Sequence, residues 1–154
     1  MTWNIICRVG PRDSFDVSDE HGVSKLILPI DAPDDPRNLR TNLWDVVDAH
    51  ALSPSQEATD LLRLAAAVFS CDLRIPREQA YDRWTRHIRL FFPVANAELW
   101  SQTLDPLVNL LRFLSGDYWE LELRESKTKR PPVNKRRRRR ATQFRTSAVC
   151  LLSG

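Results

Sequence analysis

Charge is divided sharply along this chain, and the division limits what can pack into a core. Residues 1–126 carry 13 Lys and Arg against 20 Asp and Glu, whereas residues 127–154 carry ten basic side chains and no acid. Like charges at the density of this second part repel one another and favour solvation over burial. We therefore predict one packed domain over 1–126, a basic, largely disordered linker over 127–146, and a second domain that opens at 147–154.

Four short segments of the packed domain alternate between apolar and polar residues and predict strands. They cover residues 3–9, 25–30, 87–94 and 118–124. A polar loop rich in Asp and Ser separates the first two. In each strand three or four apolar residues share one face, although Phe91 lies on the other face of its strand, and one outward face of the sheet is expected to be polar.

Two helices are predicted between the second and third strands. The first covers about residues 39–49. The second begins with Ser53 as N-cap, Pro54 at the first helical position and Gln56 in a capping box. Its apolar residues recur at the spacing of one helical face and predict that this face packs on something: Ala58, Leu61, Leu62, Ala65, Val68 and Phe69.

A third helix is predicted between the last two strands. Asn96 is its expected N-cap, Gly116 its C′ residue, and Pro106 marks a bend or break. The resulting order β-β-α-α-β-α-β predicts an α+β domain. We expect a mixed or antiparallel sheet of about four strands with helices packed on it.

No catalytic or metal site is predicted within residues 1–126. The three histidines, His21, His50 and His87, have no companion ligand at metal-binding spacing. With four glycines in the whole chain and no phosphate-loop motif, residues 1–126 have little material for a nucleotide cradle. Five carboxylates have two interpretations, as acid–base pairs or as solvated turns, and their neighbouring prolines favour turns: Asp19, Glu20, Asp31, Asp34 and Asp35.

A basic run in the linker has three interpretations. It can be a solvated tether, an arm that binds phosphates of nucleic acid, or a strip that docks an acidic protein partner. The tether is favoured, because only Phe144 supplies an aromatic ring beside the run. The residues proposed for nucleic-acid or partner contact are Lys135, Arg136, Arg137, Arg138, Arg139 and Arg140.

Cysteine usage and the N-terminus predict a cytoplasmic protein. Cys7, Cys71 and Cys150 lie far apart and form no CxxC pair, which favours a reducing compartment. The N-terminal segment has no basic region before its apolar stretch, so no secretory signal is predicted. No apolar run approaches the length of a membrane span, and no membrane partner is expected.

The segment 84–126 resembles the N-terminal region of the 7-cyano-7-deazaguanine synthase-like (QueC-like) proteins, notably the QatC-like members of bacterial anti-phage Qat systems. Residues 85–94 match a "TR.I.L..PV" strand, residues 99–114 a Trp-bearing helix, and residues 113–119 an "FLSGDYW" turn. The closing "VCLLSG" at 149–154 resembles the first strand and loop of the PP-loop domain in that family, which begins "VCLFSGGLDS".

This resemblance implies an accessory α+β domain in front of an ATP-using PP-loop enzyme that converts a carboxylate into an adenylate. It implies that Ser153 and Gly154 begin the nucleotide-binding loop of a truncated PP-loop domain. ATP is the implied cofactor, any zinc ligands are expected downstream, and other proteins of the same defence operon are the implied partners.

We therefore predict that residues 1–126 are an accessory, partner-docking domain of a QueC-like adenylating enzyme in anti-phage defence. The catalytic domain is expected downstream, so this chain alone has no complete catalytic site. The alternative is a stand-alone nucleic-acid-binding or adaptor protein that uses residues 135–140. The nucleic-acid form of that alternative predicts binding that weakens steeply with salt.

The resemblance predicts the mass of the protein expressed from its native gene. We expect an intact mass well above 17.8 kDa, with G-x-D-S following Gly154, in mass spectrometry combined with peptide sequencing. A mass of 17.8 kDa would contradict the phosphate-loop assignment and make the basic run the leading functional feature.

Overall fold

The computed structural model describes residues 1–126, which form four strands and four α-helices. The α+β class predicted from the sequence is confirmed. The strands are β1 (Thr2–Val9), β2 (Val23–Ile30), β3 (His87–Val94) and β4 (Tyr118–Glu125). The helices are α1 (Leu43–Ala49), α2 (Gln56–Arg74), α3 (Ala97–Ser101) and α4 (Leu104–Ser115), and a short 3-10 helix spans Arg77–Gln79.

Two compact units share the described residues. The larger unit contains residues 1–40 and those from Ser55 onward, and it holds the whole sheet with α2, α3 and α4. Residues 41–54 belong to the other unit and carry α1. None of the helices within residues 1–126 is long and apolar enough to cross a membrane.

All four strands run parallel, in the order β2-β1-β3-β4. The prediction of a mixed or antiparallel sheet is therefore wrong. An antiparallel neighbour needs only a tight turn, whereas residues 10–22 are long enough to carry the chain back to the start of the next strand. Burial along β1 fits the parallel arrangement, because Asn4, Ile5, Ile6 and Cys7 are all buried and parallel strands are covered on both faces.

The connections between strands cover both faces of the sheet. Residues 10–22 cross one face, where the Phe15 ring lies 6.1 Å from the Phe91 ring. Helices α2 and α4 lie on the other face. The step from β1 to β2 goes toward one edge of the sheet, whereas the steps from β2 to β3 and from β3 to β4 go toward the opposite edge. Parallel crossovers of the same hand then require opposite faces.

The apolar core lies between the sheet and helices α2 and α4. Leu64, Ala67 and Cys71 of α2 and Leu111 of α4 are buried in it. Burial raises the pKa of the Cys71 thiol to about 12. The strand residues of the core confirm the predicted apolar faces: Ile5, Cys7, Val9, Leu28, Ile30, Ile88, Leu90, Phe92, Val94, Trp119 and Leu121.

Polar side chains cap the N-terminal ends of α2 and α3. Ser55, rather than the predicted Ser53, is the N-cap of α2, and its Oγ accepts a hydrogen bond from the Ala58 N–H at 3.2 Å. Asn96 caps α3 as predicted, since its Oδ1 accepts from the Leu99 N–H at 2.9 Å.

The C-terminal end of α4 also follows the prediction, since Gly116 ends it with a φ of 73°. The predicted break in this helical region falls between α3 and α4, before Pro106. Pro106 itself occupies the first turn of α4, where its missing N–H removes no helical hydrogen bond.

Buried charges join the elements at the amino-terminal edge of the sheet. Arg86 precedes β3 and Asp117 precedes β4; they are 1% and 2% exposed, and Arg86 Nη2 lies 2.6 Å from Asp117 Oδ2. Arg77 also donates to the Asp117 carboxylate, at 3.0 Å. Burial, the largest single influence, would raise the pKa of Asp117, but the hydrogen bonds from Arg86 and the charges of Arg86 and Arg77 together lower it.

Replacing the central carboxylate of this network should destabilise the fold. Asp117→Asn is expected to lower the free energy of unfolding by roughly 3 kcal/mol, because Arg86 then stays buried without its anion. The carboxylate's contribution is present above the unfolded pKa of about 4 and is lost as pH falls through the lower folded pKa. Urea unfolding at neutral and at acidic pH measures both effects.

A matched control removes an exposed ion pair from the same sheet. Glu120 accepts from Arg89 Nε at 2.9 Å on the solvent side, so Glu120→Gln is expected to cost less than about 1 kcal/mol. Equal losses in the two variants would contradict a structural role for the buried network.

Candidate functional site

One face of α2 is apolar and exposed to solvent. Leu61, Ala65, Phe69 and Leu73 recur at every fourth position, and their large members are 49, 64 and 71% exposed respectively. Residues four apart lie on the same side of a helix. Of the stripe that the sequence predicts to pack on something, Val68 packs against the core. Within residues 1–126 its members Leu61, Ala65 and Phe69 stay exposed.

The buried face of α2 is partly polar, and its polar contacts explain the orientation of the helix. Arg63 Nη2 lies 2.8 Å from a carboxylate oxygen of Asp31, directly after β2. Asp60 accepts a hydrogen bond from the Ala95 N–H, directly after β3, at 2.7 Å. Because both contacts are buried at the carboxyl edge of the sheet, they fix the rotation of α2 about its axis and turn its apolar side outward.

Helix α4 presents a second exposed apolar group beside the first. Leu110, Phe113 and Leu114 are 50, 84 and 70% exposed, while Leu111 points into the core. Their spacing of three and four residues again places them on one side of a helix. We call the combined set the α2/α4 surface: Leu61, Ala65, Phe69, Leu73, Leu110, Phe113 and Leu114.

A groove of about 440 Å³ runs between the two helices. Leu61 and Phe69 line it from α2, and Leu110 and Leu114 line it from α4, with Trp119 among its lining residues. Asp72 and Arg77 also line the groove, and their charged atoms lie 3.5 Å apart. The groove is therefore apolar along most of its length with charges at one end, which is the pattern of a site for an apolar protein segment.

Trp84 lies next to the charged end of the groove and is exposed. The guanidinium carbon of Arg77 lies 5.2 Å from the centre of its ring, within the range of a cation–π contact. Asp82 stabilises the turn that leads into Trp84, because its carboxylate accepts hydrogen bonds from the N–H groups of Thr85 and Trp84. These bonds lower the pKa of Asp82 to about 2. Exposed Trp and Arg are the residue types that most often anchor protein interfaces.

Most of the carboxylates considered as acid–base pairs are held by basic side chains. Hydrogen bonds from Arg37 lower the pKa of Asp35 to about 2, so Asp35 does not donate a proton near neutral pH. Asp31 differs from the predicted solvated turn, because its side chain is only 8% exposed. The ion pairs are Asp31 with Arg63, Asp35 with Arg37, Asp19 with Lys25 and Glu20 with Arg89.

An open cavity of about 600 Å³ with a mixed polar and apolar lining lies beside the ends of β1 and β2, and Asp34 and Asp35 line it. Across residues 1–126 no group of three or more His, Cys, Asp or Glu side chains could hold a metal ion. The histidines examined as ligands are all exposed: His21, His50 and His87.

The sequence-predicted binding residues lie outside the described part of the chain. This holds for Ser153 and Gly154 of the phosphate loop and for the basic run, Lys135, Arg136, Arg137, Arg138, Arg139 and Arg140.

The residues that carry the family resemblance have structural roles in the described domain. Arg86 and Asp117 form the buried ion pair, Gly116 ends α4, and the Trp119 indole N–H donates to Ser115 Oγ at 2.8 Å. They build the sheet edge beneath the α2/α4 surface. The sequence analysis did not predict that the α2/α4 surface is exposed. The signal for it was the position of Asp60 and Arg63 on the side of α2 opposite the apolar stripe.

Comparison with protein-family models, with curated proteins and with solved structures found no match to this chain. The described geometry defines the class: an α+β domain with a wholly parallel sheet and an exposed apolar surface on α2 and α4.

The orientation of α2 can be tested with one substitution at two positions. Leu64→Ala is expected to cost about 2–5 kcal/mol of unfolding free energy, because Leu64 is 2% exposed and its removal leaves a cavity. Leu61→Ala, one turn earlier, should cost less than about 1 kcal/mol. Urea unfolding of both variants checks this, and the reverse ranking would mean that the apolar stripe faces the core.

Proposed function

We propose that residues 1–126 form an accessory, partner-docking domain and that the α2/α4 surface is its docking site. The carrying observation is the exposure of Leu61, Phe69, Leu73, Leu110, Phe113 and Leu114 on two neighbouring helices. Contiguous exposed apolar patches of this kind mark interaction sites on soluble domains.

The shape of the surface favours a helical partner. Two adjacent helices with an apolar groove between them accept the apolar side of another helix, whose anchors repeat at three and four residues. Phe69 and Phe113 provide large apolar contacts, and Asp72 and Arg77 at the groove end can fix the direction of the bound segment.

The proposed setting of this domain is a QueC-like adenylating enzyme in cytoplasmic anti-phage defence. In that setting ATP binds a PP-loop domain that begins at Ser153 and Gly154, zinc ligands lie further downstream, and other proteins of the operon are partners. Most of the candidate acid–base carboxylates in residues 1–126 form ion pairs with Lys or Arg. This supports the proposal that the catalytic site lies outside residues 1–126. The support for this family is the resemblance of residues 84–126 and 149–154.

A nucleic-acid-binding role remains a prediction of the basic run at 135–140. The described domain does not add to it, because residues 1–126 carry 20 acidic and 13 basic side chains and would repel a phosphate backbone.

Charges placed on the α2/α4 surface should abolish docking. We expect Phe69→Asp and Phe113→Asp each to weaken assembly of the parent protein by at least about tenfold, because an interface would then bury an unpaired carboxylate. The full-length protein that contains this domain is co-expressed with the products of its neighbouring genes. Native mass spectrometry then gives the number of subunits in each complex.

The matched control is Tyr81→Asp, which adds the same charge at a fully exposed aromatic residue outside the surface. It should leave assembly unchanged. If Phe69→Asp, Phe113→Asp and Tyr81→Asp all assemble like the unsubstituted protein, the α2/α4 surface is not a docking site and the proposed function fails.

A further inference from the structure

The cavity of about 600 Å³ beside the carboxyl ends of β1 and β2 has the position and size of a small-molecule site. In open parallel sheets, ligands bind in the crevice outside the carboxyl ends of the strands. Ligand pockets have volumes of roughly 300 to 1,000 Å³. The cavity shares no lining residue with the groove between α2 and α4, so it is a separate feature of the domain.

Hydrogen bonds hold the loop that follows β1 and forms one wall of the cavity. Gly10 has a φ of 81°, in the left-handed region that favours glycine, and its N–H donates to the Ile30 carbonyl at 2.8 Å. The Asp13 carboxylate accepts hydrogen bonds from the N–H groups of Val9 at 2.9 Å and Phe15 at 3.2 Å. The wall is therefore formed before a ligand binds, as in most small-molecule sites.

Most of the charged side chains that line the cavity are already paired. The ion pairs are Arg8 with Asp16, Arg37 with Asp35 and Asp13 with Arg124. Two charged lining residues differ, because within residues 1–126 the side chains of Arg12 and Asp34 have no hydrogen-bonding or ionic partner. The cavity thus offers one guanidinium and one carboxylate to a ligand.

This balance of charges favours a zwitterionic ligand. A phosphate group would bring about two negative charges to a cavity that also contains Asp34 and the ionised Asp35. A ligand with only a positive charge would be repelled by Arg12. In a zwitterion, by contrast, the carboxylate can accept two parallel hydrogen bonds from the Arg12 guanidinium while the ammonium donates to Asp34.

The remaining lining indicates what the rest of the ligand is. Ser14 lies two residues after Arg12, and its hydroxyl can donate to the same carboxylate. The apolar part of the lining consists of Pro11, Pro29, Ala32 and Pro36. Because these side chains have no polar atoms, they favour contact with an apolar group.

We propose that this cavity binds a free α-amino acid with a large apolar side chain. In this site Arg12 binds the carboxylate, Asp34 binds the ammonium group, and the proline-lined wall contacts the side chain. The inference goes beyond the proposed docking function and does not depend on it, because the two sites share no residue.

Isothermal titration calorimetry of the full chain with L-phenylalanine tests the site. We expect saturable one-to-one binding with a Kd of about 1 mM or lower. Phenylalanine methyl ester lacks the carboxylate and N-acetylphenylalanine lacks the ammonium group, so each should bind at least about tenfold more weakly. Glycine keeps both charges without the side chain and should also bind more weakly, because it makes no contact with the apolar wall.

Two substitutions test the residues that bind the charges. Arg12→Gln and Asp34→Asn should each raise the Kd for L-phenylalanine at least about tenfold, because each removes one ion pair with the ligand. Both residues are exposed, so both variants should stay folded, which circular dichroism checks. The matched controls are Arg74→Gln and Asp105→Asn, exposed residues on α2 and α4 that do not line the cavity, and they should leave the Kd unchanged.

Three outcomes would overturn the proposal. The first is that L-phenylalanine, L-leucine and L-methionine all fail to bind at about 10 mM. The second is that binding is indifferent to Arg12→Gln and Asp34→Asn, which would place the ligand elsewhere. The third is that inorganic phosphate binds more tightly than any of the amino acids, which would make the cavity an anion site. Each outcome leaves the docking function standing, because Phe69→Asp tests a different surface.

Discussion

The rotation of α2 about its own axis depends on buried charges at both edges of the sheet. At the carboxyl edge Arg63 is paired with Asp31 and lies beside Asp60, which also accepts the Ala95 N–H. At the amino edge Arg86 lies 2.6 Å from Asp72, near the end of the helix. A charge buried without its partner costs several kcal/mol, so a helix held in this way cannot turn to bury a different face. The apolar stripe is left outside as a consequence.

Buried ion pairs of this kind contribute more to specificity than to net stability, because desolvation offsets much of their attraction. An apolar stripe directed at the sheet would bury more hydrophobic area in the isolated domain. In the observed arrangement the polar residues of α2 contact the sheet edges, and Leu61 and Phe69 stay exposed. Exposed aromatic and aliphatic side chains on a folded domain are costly to solubility, which is why a partner is the expected reason for keeping them.

Local signals in the sequence predicted local structure well. The alternation at 87–94, the cap at Asn96 and the left-handed Gly116 all depend on neighbours in the chain, and the structure has each of them. Strand direction was missed because it depends on where residues 10–22 run, and a polar loop of that length is compatible with either direction. The start of α2 was displaced for a smaller reason: Ser53 and Ser55 are equivalent cap residues, and only the structure selects between them.

The stripe on α2 shows what helical periodicity can and cannot predict. The pattern from Ala58 to Phe69 shows that apolar residues share one side of the helix, but it does not show what that side packs against. Burial in the described domain follows the other side, through Leu64, Ala67 and Cys71. When the face with the stronger apolar pattern is the exposed one, the pattern and the fold disagree about what is inside. The docking proposed for the α2/α4 surface would resolve that disagreement, because both faces of the helix would be buried in the assembled state.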